Sequence, residues 1–550
     1  MFVRQLNLKK GDREYSYLKV VENIWKDGRS IQKTLVDFGS INAWSPGKLE
    51  ELVGKLSNFL KMNLVSLGDV RLRDSRQLGP YLPLSRIWEK LDLDEIIGSA
   101  LADRKVDARV ISCAKAMTLT RLVNPSSKKG VWESMSRDIE VPGVNGEVLP
   151  LQSYYRSLEY LSEAKNTIEK MIHSRLKHLF NQDVSLVFYD LTSSYFEGRR
   201  CAMAKRGYSR EHRPDLLQIE IGLPLDAEGV PIGHEVFDGN VKDVTTVLDT
   251  LKRLKEQFGV ARCVFVGDDG MASEANLAEV EKRGYEYITS LALGKSLVGK
   301  RLLAKCPPRQ AWTQLAENLW LHRLGEEGRV RYVGTYNPER AETSWERRKR
   351  HIRACIEYIE KLNAPPKLRS RRRSAQDILS LAERFLRRKR CTDYIRIRRG
   401  ESRPIDWDLD RDALRRVRRT DGMLILKTNS TTLTDTEVAH GYRTLWRVED
   451  AFRHIKDGIG LRPIRHWNDA RVLGHVFVCV LAYTLERLYD RALAKAGAQE
   501  SARAAIEELR SIIVATLDVE GRQLRRRSEI TARQRQLLTA AGVGEVPELW

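Results

Sequence analysis

The 550-residue chain has only seven cysteines, Cys113, Cys201, Cys263, Cys306, Cys355, Cys391 and Cys479, and no two of them form a CxxC pair. Their wide separation excludes a disulfide framework and a cysteine zinc site, and points to buried, reduced thiols in a cytosolic protein. Long apolar runs are missing too. The longest, near Val476–Tyr483, falls far short of the ~20 residues that span a bilayer, so no membrane partner is expected. The start, MFVRQLNLKKG, lacks the apolar stretch of a signal peptide. The histidines make no HExxH motif and no metal-like pair with cysteine; His212, His234 and His454 read as hydrogen-bonding residues. Gly294-Lys295-Ser296 mimics the end of a phosphate loop, but the position five before Gly294 is Thr289 and not glycine, so no nucleotide cofactor is expected. Trp and Tyr are scattered and form no stacking platform for a single strand. There is no internal repeat.

What the chain does have is positive charge. Lys and Arg number 95 against 74 Asp and Glu, a net +21, which favours polyanion partners. A hydrophobic share of 42% argues against global disorder. At ~100–200 residues per domain the length suggests three to five domains or sub-domains. The charge is concentrated: Arg340–Thr420 carries 26 Lys/Arg against 12 Asp/Glu, two-thirds of the whole excess. Arg371-Arg372-Arg373 and Arg387-Arg388-Lys389-Arg390 are its densest runs. This density suits phosphate neutralisation, so a nucleic-acid-facing insertion is expected here.

Along the chain, residues 1–45 read as strands, with a hairpin turn at Asp27-Gly28 and a helix at Pro46–Asn63. Residues 84–180 are mainly helical by their three- and four-residue apolar spacing. From 184 the pattern alternates. Val184–Tyr189 is a buried strand ending in Asp190; Leu217–Pro224 and Val230–Phe237 are strands around an Asp226–Gly229 turn; Val244–Phe258 is a helix. Cys263–Gly267 is a strand running into Asp268, followed by a helix at Leu277–Arg283 and a strand at Tyr285–Leu291. The alternation predicts an α/β domain. After the basic stretch, Met423–Thr428 returns to strand character. A capping box, Thr434-x-x-Glu437, opens a helix expected to run to Lys456 and stop at Gly458. Arg471–Ala492 is a further apolar helix.

Two strands therefore end in carboxylates. A carboxylate in such a place is costly unless it is hydrogen-bonded, paired or bound to a cation. If the strands are neighbours, Asp190 and Asp268 share one site, and two hard oxygen ligands with water and phosphate suit Mg²⁺. Tyr442, Glu449 and Lys456 are spaced seven apart, which puts all three on one face of a single helix, with Phe452 and Arg453 beside Glu449.

The order Asp–Asp–Glu on strand, strand and helix resembles a DDE transposase. Tyr442-Arg443-Thr444-Leu445-Trp446-Arg447-Val448-Glu449 through Lys456 is similar to the tyrosine–arginine–glutamate–lysine signature of a large group of bacterial insertion-sequence transposases. Tyr189-Asp190-Leu191-Thr192-Ser193, Gly239-Asn240 with Asp243, and Asp268-Asp269-Gly270-Met271 resemble the same group, whose pattern places the ligand two residues before the glycine, at Asp268. The likeness covers roughly 184–295 and 420–490. One position departs from it: four residues before Glu449, where the group has arginine, stands Leu445, which leaves Arg443 or Arg447 to supply that phosphate contact.

The resemblance implies a ribonuclease H-like (retroviral-integrase-like) α/β core with a large insertion, preceded by a β-rich start and a helical DNA-binding region. It implies two Mg²⁺ ions, with Mn²⁺ as a substitute, ~3.5–4 Å apart, bridged by Asp190 and held by Asp268 and Glu449. Tyr442, Arg443, Arg447, Arg453 and Lys456 would bind DNA, with Trp407 as a platform for a flipped base. The activity implied is cutting of double-stranded DNA at the element's terminal inverted repeats and transfer of the 3′-OH ends to target DNA, by a homodimer in the bacterial cytoplasm, associated with the nucleoid. A DNA-binding regulator without catalysis, and a nuclease that cuts without joining, are the rival readings. The expected parts are 1–80 and 81–180 for DNA-end contact, 181–295 and 421–490 for the catalytic core, 296–420 as basic insertion and 491–550 as a dimerisation tail.

Overall fold

A computed structural model describes the chain except residues 12, 27–28, 60–69, 105–107, 146–148, 181–185, 212, 242, 261–262, 269–272, 292, 294–295, 365–373, 520 and 549–550. The Asp27-Gly28 turn, His212, Lys295 and the Arg371–Arg373 run lie outside the described residues. The chain divides into two units, Met1–Ser75 with Val514–Ser528 and Pro547–Trp550, and Arg76–Ile513 with Glu529–Val546.

The first unit holds an antiparallel sheet of Phe2–Lys10, Arg13–Lys26 and Arg29–Ser40, the helix Pro46–Phe59, and a second sheet in the order Arg522–Arg527, Ile513–Val519, Val70–Gln77. The stretch 491–550, expected as a dimerisation tail, is shared between the two units. Its strands join this sheet, and its apolar residues Ala502, Ile506, Leu509, Leu537 and Leu538 are buried in the helical core of the second unit.

The second unit is built on a nine-stranded sheet. In chain order its strands are β1 (Leu186–Tyr195), β2 (Gln218–Leu225), β3 (Glu235–Asp238), β4 (Val264–Gly267), β5 (Glu286–Leu291), β6 (Thr313–Ala316), β7 (Leu319–Glu327), β8 (Val330–Tyr336) and β9 (Met423–Thr428). They lie in the order β6-β7-β8-β9-β5-β4-β1-β2-β3. Within it, β3-β2-β1-β4-β5 is the ribonuclease H-like core: an antiparallel meander β1–β3, with β4 and β5 added parallel on the other side of β1. The strands β6–β8 fall within the expected basic insertion, 296–420. They extend the sheet by antiparallel pairing through β9, and only the helices Pro338–Asn363, Ala375–Lys389 and Arg411–Thr420 with the hairpin Ile395–Arg399/Ile405–Leu409 form a separate basic lobe. That lobe has its own small core, including Ile352, Cys355, Ile359, Leu386, Ile395 and Ile405.

Helices cover both faces of the sheet. On one, Val187, Tyr189, Leu191 and Phe265 pack under helices Asp243–Glu256 and Glu274–Lys282. On the other, Phe188, Val264 and Val266 pack with α2 (Asp435–Arg443), α3 (Trp446–Arg453) and α4 (Asp469–Lys495). The helix α4 is long and apolar enough to cross a membrane by length and composition, yet it is mostly buried inside the unit. One side, with Val476, Cys479 and Val480, faces the sheet, and the other, with Leu481, Leu485 and Tyr489, faces a helical core. A helix that is apolar all round is a central one. The main partner in that core is α1 (Leu151–Phe180), whose Tyr154, Leu158, Leu161, Ile168 and Ile172 recur at the helical spacing read from sequence. Here α4 crosses so close that a Cβ on Gly474 would lie 2.0 Å from the Leu158 carbonyl oxygen. Six of the seven cysteines are buried and all seven are free thiols.

Candidate active site

The site is set by strand register. The strands β1 and β4 pair in parallel as Leu186↔Val264, Val187↔Phe265 and Phe188↔Val266. Continuing this offset puts Asp190 beside Asp268, on strands about 4.8 Å apart. Alternation along each strand then fixes the side. Asp190 shares a face with Phe188, and Asp268 with Val264 and Val266, which is the face covered by α3. The helix α3 lies against that face through Leu445, Val448 and Phe452, and Glu449 stands exposed on its first turn. Asp190 is not at the end of its strand, as the sequence suggests. The strand β1 runs on to Tyr195 because it pairs with β2 along its whole length, Asp190 opposite Leu223; it is β4 that stops, at Gly267.

Electrostatics tie the three carboxylates together. Burial pushes the Asp190 carboxyl up to about 7, and the negative charges of Asp268 and Glu449 add to the rise. The Leu191 amide, which donates to Asp190 Oδ1 at 2.7 Å, and Arg210 oppose it. Without a cation the site thus holds a carboxyl whose ionisation its neighbours resist. Among the described residues no three His, Cys, Asp or Glu side chains gather tightly enough to cage a metal. The donor set still fits a hard dication, which takes one or two protein carboxylates and completes its shell with water and substrate oxygens. Asp190, Asp268 and Glu449 are the residues that would hold it.

A family model described as a transposase DDE domain matches residues 185–485, more than half the chain and the whole stretch from β1 into α4. The chain belongs to this family. It is accordingly a transposase, of a family that works with divalent metal ions. Among solved structures, the chain is similar to a piggyBac transposase in a synaptic complex with hairpin DNA, at 9% identity and a TM-score of 0.39, over 78% of this chain and 79% of that one. No curated protein sequence matches.

The transposase's signature segment is not one helix. The capping box at Thr434 and Glu437 forms as expected, but α2 ends at Arg443. Bonds of the tighter i→i−3 kind, Leu445 N to Tyr442 O at 3.0 Å and Val448 N to Leu445 O at 3.0 Å, rewind the chain into α3. A π-helical turn, His454–Gly458, then carries Lys456. Tyr442, Glu449 and Lys456 therefore sit on three successive pieces, because a strict seven-residue spacing marks one face only while the winding stays α-helical. Tyr442 is half-buried and Arg443 exposed. Leu445 is buried in the sheet-facing core. The Arg447 guanidinium donates to the Ala227 carbonyl. Arg453 is exposed and lies 3.3 Å from Asp450. Lys456 is buried in an ion pair with Glu211. Trp407 sits in the basic lobe, its indole N–H donating to Glu360 Oε1 at 2.7 Å. His234 and His454 pair with Glu169 and Glu486.

Sequence reading missed the segment between β1 and β2. Arg210 there donates to Glu220 Oε2 at 2.6 Å and its backbone N–H to Ser193 Oγ at 3.3 Å, which ties the loop to the catalytic strand. Glu211 and Arg462, also missed, meet beside Lys456. A signal existed: Arg199, Arg200, Lys205, Arg206, Arg210 and Arg213 crowd a stretch with no hydrophobic period. Gly239, part of the motif read with Asn240 and Asp243, has a packing reason. A Cβ there would meet the Gln218 carbonyl oxygen at 1.9 Å, so only glycine lets the end of β3 approach this loop. The side chain of Asp243 and the whole of Asp269-Gly270-Met271 lie outside the described residues.

Proposed function

We propose that the chain cuts DNA at the terminal inverted repeats of a bacterial insertion sequence and joins the freed 3′-OH ends to target DNA, by a cut-and-paste route. The register that sets Asp190 beside Asp268, with Glu449 entering from α3, carries this reading. Two divalent cations, Mg²⁺ or Mn²⁺, would supply Lewis-acid activation of the attacking and leaving oxygens. Asp190 would face both ions, and Asp268 and Glu449 one each. Arg210 holds positive charge at the edge of the site, where a scissile phosphate adds negative charge. Arg443 and Arg453, exposed on either side of Glu449, would meet flanking phosphates, and the basic lobe from Pro338 to Thr420 would neutralise DNA further out. Two ends need two sites, so the working form is a homodimer on paired ends, acting on nucleoid DNA in the bacterial cytoplasm.

The test is cleavage of a plasmid carrying the element's own ends, with Mg²⁺, by the intact chain, Asp190→Asn and Glu449→Gln. Cutting at the ends by the first and by neither variant is the expected result. Tight DNA binding without cutting in Mg²⁺ or Mn²⁺ would overturn it and leave a DNA-binding regulator.

A further inference from the structure

A polar cavity of about 380 Å³ opens beside the π-helical turn, lined by Tyr195, Glu211, Arg213, Lys456, Asp457 and Arg462. One carboxylate oxygen there serves two cations. Glu211 Oε1 lies 2.7 Å from Lys456 Nζ and 2.7 Å from Arg462 Nη1. The side chains of Glu211 and Lys456 are each only 10% exposed, yet neither oxygen of Glu211 has a well-aligned hydrogen-bond donor. Its two close contacts to cations hold it. Arg213 lines the same space, turned toward Asp215 and 5.8 Å from the Tyr195 ring centroid.

The two sides of this cluster differ in how firmly they are built. Lys456 is fixed by the turn that ends α3, between the buried Ile455 and Ile459. Glu211 belongs to the irregular segment between β1 and β2, next to the Arg210 tether. An oxyanion between an ammonium and a guanidinium is the arrangement a phosphodiester oxygen would take. Lys456 lies seven residues past Glu449, about 10 Å along a helical axis, so a phosphate here would flank the scissile one.

We propose that Glu211 masks Lys456, the lysine to which the resemblance already gives a phosphate, together with Arg462 and Arg213, and fills this subsite as an internal anion until a DNA phosphate displaces it. The inference rests on the transposase reading in so far as DNA is the ligand, and its test is kept apart from cleavage. Binding of the full chain to a short random-sequence duplex is measured in EDTA across a salt series. Glu211→Gln should bind about fivefold tighter or more with an unchanged salt slope, since the same phosphates are neutralised but no internal pair is broken. Arg462→Gln should bind more weakly, its slope shallower by about 0.9, one phosphate contact. Inorganic phosphate should raise the melting temperature of Glu211→Gln more than that of the unaltered chain. Equal or weaker binding by a folded Glu211→Gln would overturn the proposal. If that variant does not fold, Arg462→Gln decides: an unchanged slope overturns the subsite and a loss of about 0.9 supports it. Failure of end-specific cutting with these shifts intact would remove the transposase reading and leave the subsite standing.

Discussion

Asp190→Asn should make the metal-free protein more stable at alkaline pH, and the size of the gain follows from the site. Burial and the charges of Asp268 and Glu449 raise the Asp190 carboxyl from 3.8 to about 7. The folded chain therefore binds this proton more tightly than the unfolded chain. Its contribution to stability is present at acid pH and is lost as pH rises from about 4 toward 7. At ~1.36 kcal/mol per pH unit the loss reaches about 4 kcal/mol above pH 7, a ceiling because Asp190 is half-buried and water screens part of it. For a unit of about 450 residues, at roughly 2.1 cal/mol/K of unfolding entropy per residue, this is about 4 °C in melting temperature. Asparagine removes the charge but keeps an oxygen to accept the Leu191 amide. Thermal unfolding in EDTA at pH 8 should thus place Asp190→Asn up to about 4 °C above the unaltered chain, with the gap closing below pH 4. Millimolar Mg²⁺ should close it at pH 8 by raising the unaltered chain only. A variant that melts at or below the unaltered chain at pH 8 would refute the reasoning, because burial and the neighbouring charges would not be resisting ionisation of Asp190.

Asp268→Asn and Glu449→Gln each remove one of the charges that raise Asp190, so each should lower the Asp190 titration, read by carbon NMR of labelled aspartate, while abolishing cleavage. Leu445→Arg, which would restore the family's signature arginine, should destabilise the chain by about 3 kcal/mol or more, since Leu445 is buried against Val448 and the sheet; denaturant unfolding checks this, and an unperturbed midpoint would contradict the burial. Gly474→Ala should cost about 3 kcal/mol or more, because its Cβ would meet Leu158 backbone oxygen at 2.0 Å; a soluble variant with unchanged melting would mean that α1 and α4 can move apart.

The parts of this fold legible in sequence are those governed by local pattern. Apolar runs marked β4, β5 and β9 within a residue or two and the start of β1, and three- and four-residue spacing marked α1. The Thr434–Glu437 capping box forms because both partners lie within one turn. What was not legible depends on partners far along the chain. That β1 continues past Asp190 to Tyr195 depends on β2, whose pairing no local pattern in β1 announces. That β6–β8 belong to the sheet depends on β9, some ninety residues later, closing over β8. The break between Arg443 and Trp446 is a change of winding without glycine or proline to announce it. The carboxylates were legible as candidates because the family order is carried by single residues at strand and helix positions. Glu211 and Arg462 were not, because their meaning arises only where a loop and a helical turn meet.

These differences change where charge for DNA has to come from. On the signature segment Leu445 is in the core, Arg447 bonds a backbone carbonyl and Lys456 is neutralised by Glu211. Of the five Tyr, Arg and Lys residues on that segment (Tyr442, Arg443, Arg447, Arg453 and Lys456), only Arg443 and Arg453 are exposed cations. Two exposed arginines are a weak hold on a polyanion when each phosphate contact is eroded by salt. The segment from Glu197 to Leu217, which meets the signature segment where Glu211 pairs with Lys456, adds six basic residues, and Arg210 ties it to β1 by its backbone N–H on Ser193 and to β2 by its guanidinium on Glu220.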